Sequence, residues 1–228
     1  MKQNHTMLVS KSPAPVRNQT IQNLRKAIVD GWFKPGQRLI ERELCQLMGV
    51  SRTSVREALR HLEADGLIKV IPNRGTVVAV INVAEAREIY QIREVLEGLA
   101  IRLFAEHAET SQVADLVHAV EILKKSCLKG EIKNIIKAKN DFYNIIFEGC
   151  GNKLAHSFIK SLFIRIGFLR SLSLSLPGRP MESLQEIKLI VRAIEQRDPS
   201  AAETACRIHV KKAESNAIEV LQLQDEGP

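Results

Sequence analysis

The chain has 228 residues, 45% of them hydrophobic, which is enough to bury a real core and to divide into two small domains. No apolar run approaches the roughly 18 residues of a membrane span, and the opening MKQNHTMLVSKSPAP lacks the apolar stretch of a signal peptide. These features predict a soluble, cytoplasmic protein. The net charge of +7 is unevenly placed: residues 1–82 carry 13 Lys and Arg against 6 Asp and Glu, whereas residues 83–228 carry 20 of each. The first segment is therefore the one expected to meet a polyanion. Cys45, Cys127, Cys150 and Cys206 form no CxxC pair and are expected as reduced core thiols, not as a disulfide framework or zinc site.

A Pro- and Ser-containing tail, residues 1–16, is expected to be flexible. Ile21, Leu24 and Ile28 then mark a first helix that stops near Gly31, and KPGQRL supplies a Pro-Gly turn. A second helix spans Glu41 to Met48, with Leu44 and Leu47 as its expected buried positions. GVS makes a three-residue turn, and Ser51 is placed to cap a third helix. This is helix-turn-helix spacing. In SRTSVREALRHLEADG, Val55, Ala58, Leu59 and Leu62 form the packing face. Arg52 and Arg56 sit four apart on another face, with Thr53 and Ser54 beside them. Guanidinium and hydroxyl groups at an exposed helix start suit major-groove reading, since Arg pairs bidentately with guanine and the others can take phosphates. The same pattern also fits two solvated arginines. LIKVIPNRGTVVAV reads as a small hairpin with Arg74 and Gly75 at its tip, a basic wing suited to the minor groove or the backbone.

The stretch GWFKPGQRLIERELCQLMGVSRTSVREALRHLEADGLIKVIPNRGTVV resembles the winged helix-turn-helix of the GntR family of bacterial transcription regulators. The likeness covers Ile21 to Val78, with the PG-x-RL, E-x-EL, GVSRT-x-VREALR and wing R-G elements in order. It implies a DNA-binding domain over residues 17–82. Operator contacts are implied at Arg42, Ser51, Arg52, Thr53, Ser54, Arg56, Arg74 and Gly75, with Arg38 on a phosphate. Ser54 departs from the proline many members carry, and the first turn of a helix tolerates either.

From Val83 strand signals almost vanish. Ile89, Ile92, Leu96, Leu99 and Leu103 alternate spacings of three and four and predict a helix over residues 84–108. Further helices are expected at about 111–129, 131–149, 152–175, 181–196 and 199–223. SLSLSLPGRP alternates like a strand but is read as a fraying helix end stopped by Pro177 and Gly178. Short connections imply antiparallel neighbours, so the expected fold is mainly α: a winged helix-turn-helix followed by an all-α antiparallel bundle over residues 83–228.

EIYQIREVLEGLAIRL, DFYNIIFEGCGNKL, LQEIKLIVRAIEQRDPSAA and RIHV resemble, more diffusely, the FCD domain of the FadR subfamily. The resemblance implies effector binding and dimerisation. Many FCD domains hold a divalent metal between an aspartate and three histidines. Here those positions fall on Lys139, Tyr143, Ile187 and His209. An ammonium, a phenol and an isoleucine do not ligate a divalent cation, and one imidazole is too few, so no metal and no other cofactor is expected. Two readings of the interior compete. In one, Lys139 supplies the missing positive charge to a small organic-acid effector, with Tyr143 and His209 as hydrogen-bond donors and Arg93 as a second cation. In the other, Lys139 snorkels to solvent and Tyr143 and His209 are ordinary core residues.

The expected protein is a dimeric regulator, a repressor, that binds a palindromic double-stranded DNA operator and responds to an organic acid. An effector-independent regulator with a filled cavity, Ile187 being its first symptom, is the alternative. An enzyme is disfavoured, because the chain has no readable nucleophile-base constellation, phosphate-binding glycine loop or paired carboxylates.

Overall fold

The computed structural model describes residues 14–29 and 32–225. The chain divides into two compact units, Met1–Val80 and Ile81–Pro228. Most of the N-terminal tail, and the expected stop at Gly31, lie outside the described residues. From Ala14 onward the chain is already helical.

The first unit comprises α1 (Ala14–Val29), α2 (Glu41–Met48), α3 (Arg52–Ala64), β1 (Ile68–Ile71) and β2 (Gly75–Val78). Glu41 and Glu43 lie in the first turn of α2, where they complement the helix dipole, and Gly49 ends the helix at φ 64°. Ser51 caps α3 by accepting from the Ser54 backbone N–H at 3.2 Å. β1 and β2 pair antiparallel, with Ile68 opposite Val78 and Ile71 opposite Gly75. Residues 37–39 extend this sheet, since the Val78 N–H donates to the Gln37 carbonyl (2.9 Å) and the Leu39 N–H to the Thr76 carbonyl (2.8 Å). Leu24, Leu44, Val55, Ala58, Leu62, Ile68 and Val77 form the core beneath. Leu47 is a correction: it is 55% exposed. In an eight-residue helix packed mainly on α3, one stripe is buried, and Leu44 takes it.

The second unit holds six helices among the described residues: α4 (Val83–His107), α5 (Thr110–Lys129), α6 (Ile132–Gly149), α7 (Lys153–Ser175), α8 (Arg179–Glu195) and α9 (Pro199–Asp225). α9 packs along α4, α8 and α7, and α5 lies against α6 and α8. Local chemistry sets the boundaries. Asn82 and Asn152 cap α4 and α7, Glu109 and Gln112 form a capping box on α5, and Gly178, at φ 79°, permits the turn into α8. The SLSLS stretch is well-packed helix, not a frayed end, for Leu172, Ser173 and Leu174 are all buried.

The stripe expected on α4 is displaced. Ile89 is buried, but Ile92 is 46% exposed, and Leu96, Leu99 and Leu103 are half-buried. The inward face instead runs through Ala86, Tyr90, Arg93, Glu97, Ala100, Ile101 and Phe104. An apolar count misplaces this face because two of its members are charged. Of the cysteines, Cys127, Cys150 and Cys206 are buried, whereas Cys45 is half-buried; all four are free. No helix of the described residues is long and apolar enough to cross a membrane.

Candidate functional site

The first unit presents one basic, uncovered surface. Arg38, Arg42, Ser51, Arg52, Thr53, Arg56 and Arg74 are exposed, and Ser54 and Gly75 are half-buried. The Arg56 Nε donates to both carboxylate oxygens of Glu41, at 3.0 and 2.9 Å, so this guanidinium is held in place by the start of α2. The hydroxyls of Ser51 and Ser54 lie 3.1 Å apart. At the wing, Asn73 and Gly75 take positive φ and turn Arg74 outward, its Nη2 reaching the Gly36 carbonyl at 3.4 Å. Arg38 reaches the turn end of the wing, its Nε 3.7 Å from where a Cβ on Gly75 would stand.

The second unit contains a cluster of charges inside its core. Arg93, Glu97, Lys139, Arg170, Arg179, Glu186 and His209 are all buried, contributed by α4, α6, α7, α8 and α9. Charges in an apolar interior are costly unless paired, so each partner matters. Glu97 accepts from Arg93 Nε at 2.8 Å and lies 3.6 Å from Arg170 Nη2. Burial opposes ionisation of Glu97, but the two guanidiniums outweigh it and hold its carboxyl below the ordinary range. Arg170 also donates to Asn140 Oδ1 at 2.6 Å, and its guanidinium lies 4.3 Å from the centroid of the Tyr143 ring. Arg93 covers the Tyr90 ring in the same manner at 4.7 Å.

On the other side, Glu186 accepts two hydrogen bonds from Arg179, at 2.6 and 2.7 Å, and lies 2.5 Å from His209 Nδ1. Burial again opposes ionisation, yet His209 and Arg179 draw the Glu186 carboxyl down to about 2. Burial, reinforced by Lys139, takes His209 to about 4, so its ring is neutral at pH 7. A neutral ring that donates from Nδ1 to a carboxylate presents a lone pair at Nε2. That lone pair faces Lys139 Nζ at 3.4 Å, and Lys139 also donates to Ser183 Oγ at 2.8 Å. Burial first, then Arg170, Arg93 and Arg179, push the Lys139 ammonium well below its usual range.

The structure thus brings Arg93, Lys139, Tyr143 and His209 into one cluster. Lys139 does not reach solvent; it is 3% exposed. The donor of His209 is spent on Glu186, leaving it an acceptor towards Lys139. Asp141 is exposed and pairs with Lys137 at 3.4 Å, outside the cluster. Sequence reasoning missed Glu97, Arg170, Arg179, Ser183 and Glu186. Glu97 carried a usable signal, being four residues after Arg93 on one helix face. Arg170 and Glu186 come from helices that no spacing rule links to α4 or α9.

A divalent metal does not fit here. The phenol of Tyr143, the alkyl chain of Ile187 and an ammonium facing the His209 lone pair offer no cation site. Among the described residues no group of three His, Cys, Asp or Glu side chains is arranged to hold one.

Residues 16–78 match the family described as bacterial regulatory proteins, gntR family, and residues 88–212 match the FCD domain. The chain belongs to the GntR family and carries an FCD domain. It is 30% identical over 198 residues to an HTH-type transcriptional regulator, YdhC, of Bacillus subtilis, covering 86% of this chain and 88% of that one. It is 27% identical to the HTH-type transcriptional repressor RspR of Escherichia coli, over 91% of both chains. Escherichia coli McbR has a similar structure, with TM-score 0.74 and 26% identity over 96% of this chain and all of that one. This GntR regulator is accordingly a DNA-binding transcriptional regulator and not an enzyme, and its fold is a winged helix-turn-helix with a helical FCD unit.

Proposed function

We propose that this regulator binds a palindromic operator as a homodimer, represses transcription there, and responds to a small organic acid held inside the FCD unit. Residues 17–82 carry the DNA contacts in this reading and residues 83–228 carry dimerisation and effector binding. The observation that carries it is the uncovered basic surface of the first unit, where Arg52, Thr53 and Arg56 open α3 and Arg74 projects from the wing. A helix start with that chemistry can enter a major groove while the wing takes the backbone. Arg38 and Arg42 flank it as phosphate contacts, and Ser51 and Ser54 add hydroxyl donors. The similarity to RspR, which is named a repressor, supports repression over activation. An effector needs only a few kcal/mol of differential affinity between DNA-competent and incompetent arrangements to regulate.

The test is selection of bound sequences from a random DNA pool, followed by anisotropy titration of the selected duplex. A two-fold-symmetric consensus bound by two chains, weakened by Arg52→Ala, supports the reading. An asymmetric or absent consensus overturns it. A second reading, in which the regulator works without an effector, draws on Glu97 and Glu186, which already neutralise part of the cluster. Operator affinity unchanged across a panel of organic acids would favour it.

A further inference from the structure

We propose that the lysine-lined groove between α5 and α6 is a second DNA-binding surface, one that holds the phosphate backbone of non-operator duplex DNA without reading its sequence. It rests on the chain's role as a DNA-binding regulator and is independent of the effector reading. The zero net charge of residues 83–228 hides a segregation. Residues 121–141 carry six Lys against three acidic residues, whereas the remainder carries 14 Lys and Arg against 17 Asp and Glu. One of the six, Lys139, is buried in the interior cluster. The other five, Lys124, Lys125, Lys129, Lys133 and Lys137, follow the end of α5 and the start of α6.

The two helices pack together across the short turn at Gly130, which takes φ 75°. A groove of about 260 Å³ opens between them, lined by Lys125 and Lys129 from α5 and by Asn134, Lys137 and Asp141 from α6. The acidic groups nearby are already engaged: Asp141 with Lys137 at 3.4 Å, Glu121 with Lys124 at 3.4 Å, and Glu131 with the side-chain amide of Asn134. Exposed pairs of this kind are weak, so a phosphate can displace them. Lys125, Lys129 and Lys133 are exposed and have no ion-pair partner among the described residues.

This arrangement costs the empty fold. Lys125 and Lys129, and again Lys133 and Lys137, stand four residues apart, the spacing at which like charges repel along a helix face. Lys133 also lies in the first turn of α6, which holds no acidic residue, and a cation there opposes the helix dipole. Only Lys129, in the last turn of α5, sits where the dipole favours it. A polyanion lying along the groove relieves the repulsion and the opposed dipole together. The residue types then select the polyanion. No arginine occurs between residues 103 and 164, so the guanidinium fork that reads bases is missing. No aromatic side chain lines the groove, so a single strand finds nothing to stack on. Protein interfaces are depleted in Lys and enriched in Arg and aromatic residues. Flexible point charges that release counterions from a duplex backbone are what this surface offers.

The experiment is anisotropy titration of the full chain with a duplex of random sequence over a salt series, in an Arg52→Ala background that weakens the first unit's own grip. Replacing Lys125, Lys129 and Lys133 together by Gln is expected to lower the slope of log affinity against log salt by about 2–3, close to 0.9 for each lost phosphate contact. The melting temperature should stay level or rise, because repulsion is removed. Lys133→Gln alone, the mildest change, should lower the slope by about 0.9. A control that removes the same charge elsewhere on the unit, Lys153→Gln with Lys160→Gln and Lys211→Gln, should change it by less than about 1. A slope untouched by the groove substitutions, or lowered equally by the control, would overturn the proposal. So would polyglutamate that the parent protein binds as tightly as duplex DNA and the triple variant does not, since the groove would then serve an acidic protein. Selection of an operator by the first unit is read separately, so an absent palindrome leaves this test standing.

Discussion

Glu97→Gln removes one charge from the interior while keeping the side chain's shape. In the structure the Glu97 carboxylate lies 2.8 Å from Arg93 Nε and 3.6 Å from Arg170 Nη2, with side-chain exposures of 0%, 1% and 4% for the three residues. At an effective dielectric of about 20, those separations correspond to gross attractions of about 6 and 5 kcal/mol. Most of that is cancelled by the several kcal/mol needed to desolvate each ion. What the substitution exposes is the uncancelled remainder: two guanidiniums left in the core with no anion between them. Removing one partner of a buried pair costs about 3–5 kcal/mol.

For a chain of this size 1 kcal/mol moves the melting temperature by roughly 2–4 °C, so a fall of about 6–20 °C is expected. Urea unfolding followed by far-ultraviolet circular dichroism measures the free energy directly, and an unchanged slope against urea shows that the native state has kept its compactness. Asp141→Asn is the control: its pair with Lys137 is 55% and 79% exposed, and such surface pairs contribute about 0–1 kcal/mol. A loss below about 1 kcal/mol for Glu97→Gln would refute the reasoning, because water or another anion would then be neutralising both arginines.

Acid should destabilise the FCD unit in two steps. His209 takes its proton near 4 in the fold against 6.5 when free. Between those values the unfolded chain holds the extra proton, so stability falls by roughly 3 kcal/mol as pH drops from 6.5 to 4. Glu186, at about 2 in the fold against 4.5, continues the loss below pH 4.5. A pH series of urea midpoints checks both, and His209→Gln should flatten the upper step. Gly149→Ala would set a Cβ 2.5 and 2.8 Å from two ring carbons of Phe104, which is fully buried. Overpacking of that kind costs about 1–3 kcal/mol, readable by the same denaturation, and a neutral result would show that the ring can move aside. Arg74→Ala should lower the slope of log affinity against log salt by about 0.9 if the wing contacts a phosphate. An unchanged slope in anisotropy titrations would place the wing off the backbone.

Much of the DNA-binding unit was legible because its rules are local. Ser51 three residues before the N–H it caps, Gly49 at positive φ and a four-residue spacing of buried positions on α3 are each decided within one turn of chain. The bundle was legible as six helices for the same reason. The orientation of α4 was not. Apolar periodicity assigns the inward face to the greasier stripe, and that stripe, with Ile92 at 46% exposure, faces away from this unit's core. The inward stripe carries Arg93 and Glu97, whose burial is made tolerable by Arg170 from α7. No sequence pattern announces a partner 73 residues away. Helical spacing alone sets Lys139 and Tyr143 one turn apart on the face that carries Ile146 and Cys150, all four of them buried, and family resemblance adds what those positions would otherwise hold; Glu186 became visible only when α8 and α9 were seen side by side.

The cluster shows how a lysine comes to stand opposite the lone pair of a buried histidine. A histidine offers one in-plane lone pair at Nε2, and its other nitrogen fixes which way that lone pair points. Here Glu186, itself clamped by Arg179, accepts the hydrogen bond from the Nδ1–H of His209, the same orientation that would serve a metal. The lone pair then has a choice between an ion that must be recruited from solution and an ammonium that the fold already delivers. An ammonium brings half the charge of a divalent ion, and Arg170 brings the rest from a neighbouring helix. That division has a cost which a metal site avoids. A metal ion leaves when its ligands are protonated, whereas a lysine stays tethered in the apolar interior; burial first, and then the neighbouring Arg170, Arg93 and Arg179, push its ammonium well below the usual range.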